Sequence, residues 1–163
     1  MEKIFNETYL TEIGKIAIYA TESKIIKIEY VENVHNVSNG SKLTDKAAFE
    51  INDFVHGKIK SFSVPYEIRG TDFQKKVWNA LLQIPYGKTK TYSQIAIEVG
   101  SPKGARAVGN ACNQNPLPII IPCHRAVHKD GSLGGYASGV DKKKFLLMIE
   151  GNKISAGTCF CSE

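Results

Sequence analysis

A stretch of four residues, Pro122-Cys123-His124-Arg125, brings together side chains suited to nucleophilic chemistry. The three isoleucines at 119–121 predict a short buried strand that stops at the proline, so that the thiol is displayed at the end of a rigid element. A free thiol has a pKa near ~8.5, and only a small fraction is thiolate at neutral pH. A nearby base, reached directly or through water, raises that fraction. A single cysteine is more often an inert core residue, but these neighbours favour a nucleophile.

A carboxylate near the end of a predicted helix over 141–150 could belong to the same site. Glu150 projects between Leu146 and Leu147, close to the last turn of that helix. A negative charge at this end opposes the helix dipole, and a partner cation would offset that cost. We therefore expect Glu150 to have a cationic partner, the alternative being a frayed terminal glutamate in water.

The elements before the cysteine follow the pattern of a helix-turn-helix. An amphipathic helix opens the second half of the chain, and a strand is predicted over 89–92. Ser93 would cap a short helix, Gly100 would form a tight turn, and Ser101 would cap a second helix with Pro102 in its first position. This pattern is shared by many helical hairpins that do not bind DNA, so further signals are needed.

The second of those helices carries such a signal. At about 100° per residue, one narrow stripe holds the hydrogen-bond donors Lys103, Arg106, Asn110 and Asn113. The opposite face is apolar, and glycines inside the helix cost roughly 1 kcal/mol each relative to alanine. Those glycines indicate either close helix–helix packing or a narrow helix that presses into a DNA groove. The donors on the stripe favour the groove.

The first half is predicted to be a small α/β unit with no catalytic residues. Strands are predicted over 3–9, 14–20 and 24–31, and Thr44 is predicted to cap a helix. Pro65 restricts the segment that contains it to an edge strand or a linker. We therefore divide the chain into an α/β domain, 1–70, and a mostly helical domain, 71–163.

Composition excludes several classes of protein. The chain has 163 residues, of which 42% are hydrophobic and 23% charged, as in ordinary globular proteins. It has no run of 18 apolar residues, and its N-terminus lacks the apolar run of a secretion signal, so we expect neither a membrane partner nor export. The cysteines are confined to the last third, namely Cys112, Cys123, Cys159 and Cys161. A disulfide scaffold is not indicated, and a reducing cytoplasm is the expected location.

The charge is unevenly distributed along the chain. Residues 1–70 carry 9 Lys and Arg against 10 Asp and Glu, whereas residues 71–163 carry 12 against 6. The net charge of +5 therefore resides in the second half. A basic half indicates a polyanionic partner such as nucleic acid, or else an ordinary solvated basic surface.

From Phe73 to Asn152 the sequence resembles the O6-alkylguanine-DNA alkyltransferases, also called methylated-DNA–protein-cysteine methyltransferases. The shared segments are Tyr92-Ser93, Ala105-Arg106-Ala107-Val108-Gly109, Asn115-Pro116, Pro118, Pro122-Cys123-His124-Arg125, Gly135-Tyr136 and Glu150-Gly151. The ordered set at these spacings is much more specific than the tetrapeptide alone. The resemblance implies a ribonuclease-H-like N-terminal domain, with an antiparallel sheet and a helix. It also implies a mostly α, winged-helix-like C-terminal domain that contains the helix-turn-helix.

The resemblance implies a single-turnover DNA repair enzyme. Cys123 would attack the alkyl carbon on O6 of guanine, with possible activity on O4 of thymine, and would keep the alkyl group, so each molecule is used once. His124 would act as the base through a bridging water, and Glu150 would hold and charge-balance its imidazole. Asn115 would tie the helix-turn-helix to the active-site loop. No cofactor and no metal are expected, and the protein would act as a monomer.

The resemblance also implies how DNA is bound. The recognition helix, with its stripe of donors, would enter the minor groove of double-stranded DNA that contains O6-alkylguanine. Arg106 would fill the gap left by the flipped base, and Tyr92 would crowd the 3′ phosphate and help to rotate the nucleotide. The base pocket would be lined by Pro118, Ala126, Tyr136, Ala137 and Ser138. Some relatives have serine at the position of Ala137, so a modest change in alkyl-group preference is expected here.

Three alternatives remain from the residues themselves. A non-enzymatic lesion-binding protein on the same fold would replace the cysteine, which is present here. A helix-turn-helix transcription regulator would leave Cys123 without a purpose, and a cysteine hydrolase would turn over without a permanent label.

The structural zinc site of some relatives needs N-terminal cysteines that this chain lacks. Cys159 and Cys161 are expected to be a spare thiol pair in a tail rather than a metal site.

Overall fold

A computed structural model describes residues 2–33 and 39–152, and the chain forms two compact units. The first unit comprises Met1–Arg69 together with Pro116–Ile120, and the second comprises Gly70–Asn115 together with Ile121–Glu163. The predicted single boundary after residue 70 did not anticipate the return of 116–120 to the first unit. The predicted thiol pair of Cys159 and Cys161 lies outside the described residues.

The first unit is built on a three-stranded antiparallel sheet in the order β1-β2-β3. Its strands are β1 (Phe5–Thr11), β2 (Gly14–Ala20) and β3 (Ile25–Tyr30), as the alternating branched residues predict. Helix α1 (Lys42–Val55) packs against this sheet with its apolar face buried. The predicted elements of this half are therefore present, although several of their ends differ.

The cap of α1 differs from the sequence prediction, whereas the segment around Pro65 fits the predicted edge strand or linker. Ser41, and not Thr44, caps α1, and Thr44 is instead the third helical residue of a reciprocal capping box. Thr44 was wrongly predicted as the cap because the hydroxyls of Ser41 and Thr44 both hydrogen-bond the backbone at the start of this helix. The segment around Pro65 pairs with Ile25 through a single parallel bridge, in which the proline supplies only its carbonyl.

The segment 116–120 is buried but is not a strand. Leu117, Ile119 and Ile120 are almost fully buried, and the Pro116 carbonyl accepts a hydrogen bond from Ile28 N at 2.8 Å. Ile119 has a φ of 77°, a left-handed conformation that a β-branched residue rarely adopts. The predicted strand over 119–121 is therefore wrong, because this strained turn reverses the chain just before the cysteine.

The second unit is mainly helical. It consists of α2 (Asp72–Leu82), β4 (Lys90–Thr91), α3 (Tyr92–Glu98), α4 (Ala105–Asn113), β5 (Ala126–Val127) and α5 (Val140–Ile149), with a 3-10 turn at Cys123–Arg125. Strands β4 and β5 form a short parallel pair. Trp78 of α2 is fully buried, and its indole N–H donates to the Ala111 carbonyl of α4 at 2.9 Å. Within the described residues, no helix has the length and apolar character needed to cross a bilayer.

The helix-turn-helix is present, but both of its helices begin at other residues than predicted. Thr91, not Ser93, caps α3 and forms a capping box with Gln94, so Tyr92 is helical. Helix α4 begins at Ala105, since residues 101–103 form a turn that Gly104 N closes on the Ser101 carbonyl at 2.7 Å. Lys103 therefore lies in the turn before α4 and not on the helical stripe.

Candidate active site

Cys123 opens the 3-10 turn and is almost enclosed, with only 6% of its surface exposed. Its backbone N–H donates to the Ile121 carbonyl at 2.8 Å. Asn115 donates its side-chain amide to that same carbonyl at 2.8 Å and also hydrogen-bonds the Cys123 side chain. The amide of Asn115 thus joins the end of the helix-turn-helix segment to the cysteine turn.

The enclosed position of the Cys123 thiol determines its resting protonation. Burial raises the pKa of Cys123, while the Asn115 hydrogen bond and the positive charge of Lys143 only partly oppose burial. The neutral thiol is therefore the resting form of Cys123, despite the nearby positive charge. A base must remove the proton when the thiol reacts.

A buried polar network lies directly beside the cysteine. His124 is fully buried, and its Nε2 lies 2.6 Å from Glu150 Oε2. Arg125 binds the same carboxylate in a bidentate way, with Nε at 2.9 Å from Oε1 and Nη2 at 2.8 Å from Oε2. Gly87 N donates to Oε1 at 3.1 Å, so the Glu150 carboxylate contacts three residues, two in the 3-10 turn and one in the turn after α2. The alternative of a frayed terminal glutamate does not fit this geometry.

The network sets the charges of its members. Burial raises the pKa of the Glu150 carboxyl, but the hydrogen bonds from His124 and Arg125 outweigh burial and lower its pKa to about 2. Burial lowers the pKa of His124, and the nearby Glu150 only partly restores it. At neutral pH this arrangement combines an ionised Glu150, a charged Arg125 and a neutral imidazole, which is the form that can accept a proton.

Arg125 belongs to the Pro-Cys-His-Arg motif but was not predicted to take part in the site. Its Nη1 donates to the Ile84 carbonyl at 2.7 Å, and its guanidinium lies over the Tyr86 ring at 5.8 Å. Arg125 supplies the cationic partner that the position of Glu150 predicted. The signal that could have identified it is the need of a buried carboxylate for a permanent cation.

Lys143 is a second residue near the thiol that was not predicted from the sequence. It is fully buried, and its Nζ donates to Ala126 O at 2.6 Å, Tyr92 Oη at 3.1 Å and Gly135 O at 3.2 Å. Burial lowers its pKa to about 8, although the proximity of Cys123 raises it. A lysine in an apolar helix pattern is ordinarily read as solvent-exposed, so only the structure reveals this cation near the thiol.

A cavity of about 420 Å³ lies along α4. It is lined by Tyr92, Ser93, Ala105, Arg106, Gly109, Asn110, Asn113, His128, Lys129 and Gly135. Three of the four predicted stripe residues line it, and all three are exposed; Lys103 is exposed but is not among the lining residues. A Cβ added to Gly109 would meet no atom within 4 Å, so helix packing does not explain this glycine.

The five residues predicted to line a base pocket come from three segments of the chain. Ala126 is buried and accepts from Lys143, while Tyr136, Ala137 and Ser138 lie in the turn before α5, with Ala137 exposed. Pro118 is buried in the returning segment of the first unit. None of the five lines the cavity along α4, and their role as a base pocket stays a prediction.

In the part of the chain that the structure describes, no group of three or more His, Cys, Asp and Glu side chains is arranged to hold a metal ion. Cys112 and Cys123 are both buried free thiols, and burial raises the pKa of Cys112 to about 12. Cys112 is therefore a poor nucleophile at neutral pH.

Known proteins are similar to this chain in both sequence and fold. A family model described as the 6-O-methylguanine DNA methyltransferase DNA-binding domain matches residues 72–152. A methylated-DNA–protein-cysteine methyltransferase from Methanosarcina barkeri is 42% identical over 148 residues, or 87% of this chain and 94% of the relative. Mycobacterium tuberculosis O6-methylguanine methyltransferase has a TM-score of 0.80 at 35% identity, covering 91% of this chain and 93% of that one. The same organism's OGT in complex with DNA has a TM-score of 0.81 at 37% identity, covering 89% and 91%.

A buried cysteine lies beside an imidazole–carboxylate network, in the same unit as a helix rich in hydrogen-bond donors, and this arrangement suits a protein that does chemistry at a thiol. The chain belongs to the methylated-DNA–protein-cysteine methyltransferase family. Its function is the repair of DNA by direct transfer of an alkyl group from O6 of guanine to a protein cysteine. The alternative of a non-enzymatic lesion-binding protein is therefore set aside.

Proposed function

We propose that Cys123 is the acceptor and that each protein molecule reacts once. The Cys123 sulfur attacks the alkyl carbon, a C–S bond forms, and the O6–C bond breaks with its electron pair left on guanine. The thiol proton leaves through a water to His124 and is finally returned to the guanine, so that unmodified guanine is released. The thioether has no route back to a thiol, which makes the reaction stoichiometric.

The observation that carries this proposal is the buried imidazole of His124, whose Nε2 lies 2.6 Å from Glu150 Oε2. A neutral imidazole can accept the thiol proton, and the ionised carboxylate stabilises the imidazolium that forms. Arg125 keeps Glu150 ionised in the resting state, and the positive charge of Lys143 favours the thiolate. Asn115 positions the cysteine turn through the Ile121 carbonyl.

We further propose that α4 is the DNA-recognition helix and that it enters the minor groove. Minor-groove binding requires a close approach of backbone and small side chains, and the open space beside Gly109 permits it. The exposed Arg106 would fill the stack after the target base flips out, and Tyr92 would help to rotate the nucleotide. Lys103, Asn110 and Asn113 would contact the phosphates and groove edges.

We also propose a fold assignment for each of the two units. The sheet with α1 is consistent with a ribonuclease-H-like domain, and the helix-turn-helix with the β4–β5 pair is consistent with a winged-helix-like domain. We propose that a single copy of the chain suffices, because the nucleophile, the base and the donor helix belong to one unit. Two free buried thiols are consistent with a reducing cytoplasm.

Intact-mass measurement after mixing the protein with duplex DNA containing O6-methylguanine tests the proposed function. We expect a gain of one methylene that maps to Cys123, with an amount of label that never exceeds the amount of protein. Cys123→Ser should bind the same DNA but gain no mass, because a hydroxyl is far less ionised and a weaker nucleophile. Label on Cys112 in the wild-type protein, or continued turnover, would contradict the proposal.

A further inference from the structure

The turn that follows α2 reaches the end of α5 that carries Glu150. It comprises residues 85–87, here called the 85–87 turn, and it is closed by Lys88 N, which donates to the Pro85 carbonyl at 3.0 Å. Gly87 has a φ of 82°, the left-handed conformation that glycine favours at the third position of a β-turn. The turn is therefore fixed by its own hydrogen bond and does not depend on α5 for its shape.

Two groups of the 85–87 turn bind the end of α5. The Tyr86 hydroxyl donates to the Ile149 carbonyl at 3.1 Å, and Gly87 N donates to Glu150 Oε1 at 3.1 Å. Ile149 is the last helical residue and Glu150 is the C-cap, a place where backbone carbonyls have no partner within the helix. The Tyr86 hydroxyl therefore supplies a donor to a carbonyl at the helix end, one residue before the carboxylate.

The same turn also holds the counter-ion of Glu150. Arg125 Nη1 donates at 2.7 Å to the carbonyl of Ile84, the residue directly before the turn. The Arg125 guanidinium lies over the Tyr86 ring, 5.8 Å from the ring centroid, where the aromatic face attracts a cation. Tyr86 thus contacts the helix end through its hydroxyl and the cationic partner of Glu150 through its ring.

The end of α5 has a cap of its own, but that cap does not orient it towards the cysteine turn. Gly151 N and Asn152 N both donate to carbonyls of the last helical turn, and these bonds fix the helix end relative to the helix alone. The distance of 2.6 Å between His124 Nε2 and Glu150 Oε2 depends on contacts that cross from α5 to other elements. The 85–87 turn supplies such contacts.

We propose that Tyr86 is a positioning residue for alkyl transfer, whose hydroxyl holds the end of α5 so that Glu150 stays aligned with His124. Tyr86 acts through the carboxylate and does not touch the substrate. This inference rests on the proposed role of His124 as the base for Cys123. It makes the 85–87 turn one of the elements that set the rate at which the thiol loses its proton.

Removing one hydroxyl tests the proposal. Tyr86→Phe loses the bond to α5 but keeps the ring over the guanidinium, and we expect single-turnover transfer at pH 7 to slow about three- to tenfold, the equivalent of one hydrogen bond. Free O6-benzylguanine and methylated duplex DNA should slow equally, because the thiol must lose its proton with either substrate. Tyr9→Phe is the matched control: Tyr9 Oη donates to Thr44 at 2.9 Å and to Asp45 at 2.7 Å in the first unit, and its loss should leave the rate unchanged.

The dependence of the transfer rate on pH separates positioning from support of the fold. Only the neutral imidazole accepts the thiol proton, so the acid limb of the rate reports the pKa of His124, which Glu150 raises. Among the described residues, the charged groups that face His124 are Glu150, Arg125 and Lys143, and Tyr86→Phe keeps all three. A pairing of His124 with Glu150 that is three- to tenfold weaker lowers this pKa by about 0.5–1. We therefore expect the acid limb of Tyr86→Phe to move to lower pH by that amount, whereas the control should keep the wild-type limb.

A second variant perturbs the same contact from the backbone. Gly87→Ala places a Cβ 3.1 Å from the Glu150 carbonyl oxygen, at a φ of 82° where a side chain is strained, and it keeps the Tyr86 hydroxyl. We expect the rate and the acid limb to change in the same direction as in Tyr86→Phe. Gly57→Ala introduces a side chain at a φ of 74° in the first unit, where no atom lies within 4 Å of the added Cβ, and should change neither.

The outcomes separate this inference from the proposed function. A wild-type rate and acid limb in Tyr86→Phe would overturn the positioning role. Slower transfer with an unmoved acid limb would also overturn it, because that is the result of a purely structural role. Slowing on duplex DNA alone would show that Tyr86 acts through DNA binding, which again overturns the inference. If the wild-type protein gains no alkyl group at Cys123, the proposed function itself fails and the inference fails with it, a result read from the wild type alone.

Discussion

Replacing Glu150 with glutamine tests whether the charge of this carboxylate contributes to protein stability and to alkyl transfer. Its pKa falls from 4.5 to about 2, which corresponds to about 3 kcal/mol of stabilisation at neutral pH. Because the folded pKa is the lower one, this contribution is complete above pH 4.5 and is lost as the pH falls towards 2. Linkage predicts that about 2 kcal/mol of it is gone by pH 3. The variant should therefore be about 3 kcal/mol less stable at pH 7, and this difference should narrow at pH 3.

Urea denaturation of both proteins across that pH range measures the difference. Glu98→Gln is the matched control, because Glu98 pairs with Lys90 at the surface and such pairs contribute less than about 1 kcal/mol. Single-turnover transfer from duplex DNA should slow by about 10²-fold or more in Glu150→Gln, because an amide cannot stabilise the imidazolium of His124. A stability difference that does not change with pH would refute the electrostatic argument, and an unchanged rate would refute the role in transfer.

Three further predictions address Arg106, Gly109 and Lys143. Arg106→Ala should slow transfer from duplex DNA strongly but barely change reaction with free O6-benzylguanine, which needs no base flipping. Equal slowing on both substrates in single-turnover assays would show that Arg106 does not fill the gap left by the flipped base. Gly109→Ala should stabilise the free protein by about 0.5–1 kcal/mol in thermal unfolding, because the added Cβ meets open space. The same variant should bind duplex DNA more weakly. Unchanged binding would show that the DNA does not approach α4 at Gly109. Burial lowers the pKa of Lys143 to about 8, so the cost of burying its charge is relieved between pH 8 and 10.5. From pH 7 to 10, the free energy of unfolding of the wild type should therefore rise by about 2.5 kcal/mol relative to that of Lys143→Met. A difference in urea denaturation that does not change with pH would show that this amine titrates normally.

The sequence allowed most elements to be predicted because their patterns are local. The three strands, the helices α1 and α2 and the helix-turn-helix follow from alternation, apolar spacing and turn residues. Helix starts were less accurate, because Ser41 and Thr91 compete with hydroxyl neighbours that could cap equally well. Capping is decided by which hydroxyl faces the free N–H groups, and spacing alone does not show this.

The candidate residues of the site could be named from the sequence, but the buried cations that contact them could not. Cys123, His124 and Glu150 follow from the motif and the family resemblance, and the short contact between His124 and Glu150 agrees with the expected pairing. The buried cations Arg125 and Lys143 were not predicted because arginine and lysine usually lie at the protein surface. Their partners are carbonyls and a carboxylate from distant segments, which only the tertiary fold brings together.

The indole of Trp78 gives the protein an internal optical probe. It is the chain's single tryptophan, it is buried, and its N–H is bonded to the Ala111 carbonyl on the helix proposed to enter DNA. Its emission therefore comes from one defined position, directly behind the residues of α4 that line the cavity. Any displacement of α4 when the groove is filled would alter that hydrogen bond and shift the emission spectrum. Stopped-flow fluorescence of the unlabelled protein could then time the seating of the helix separately from the chemical step.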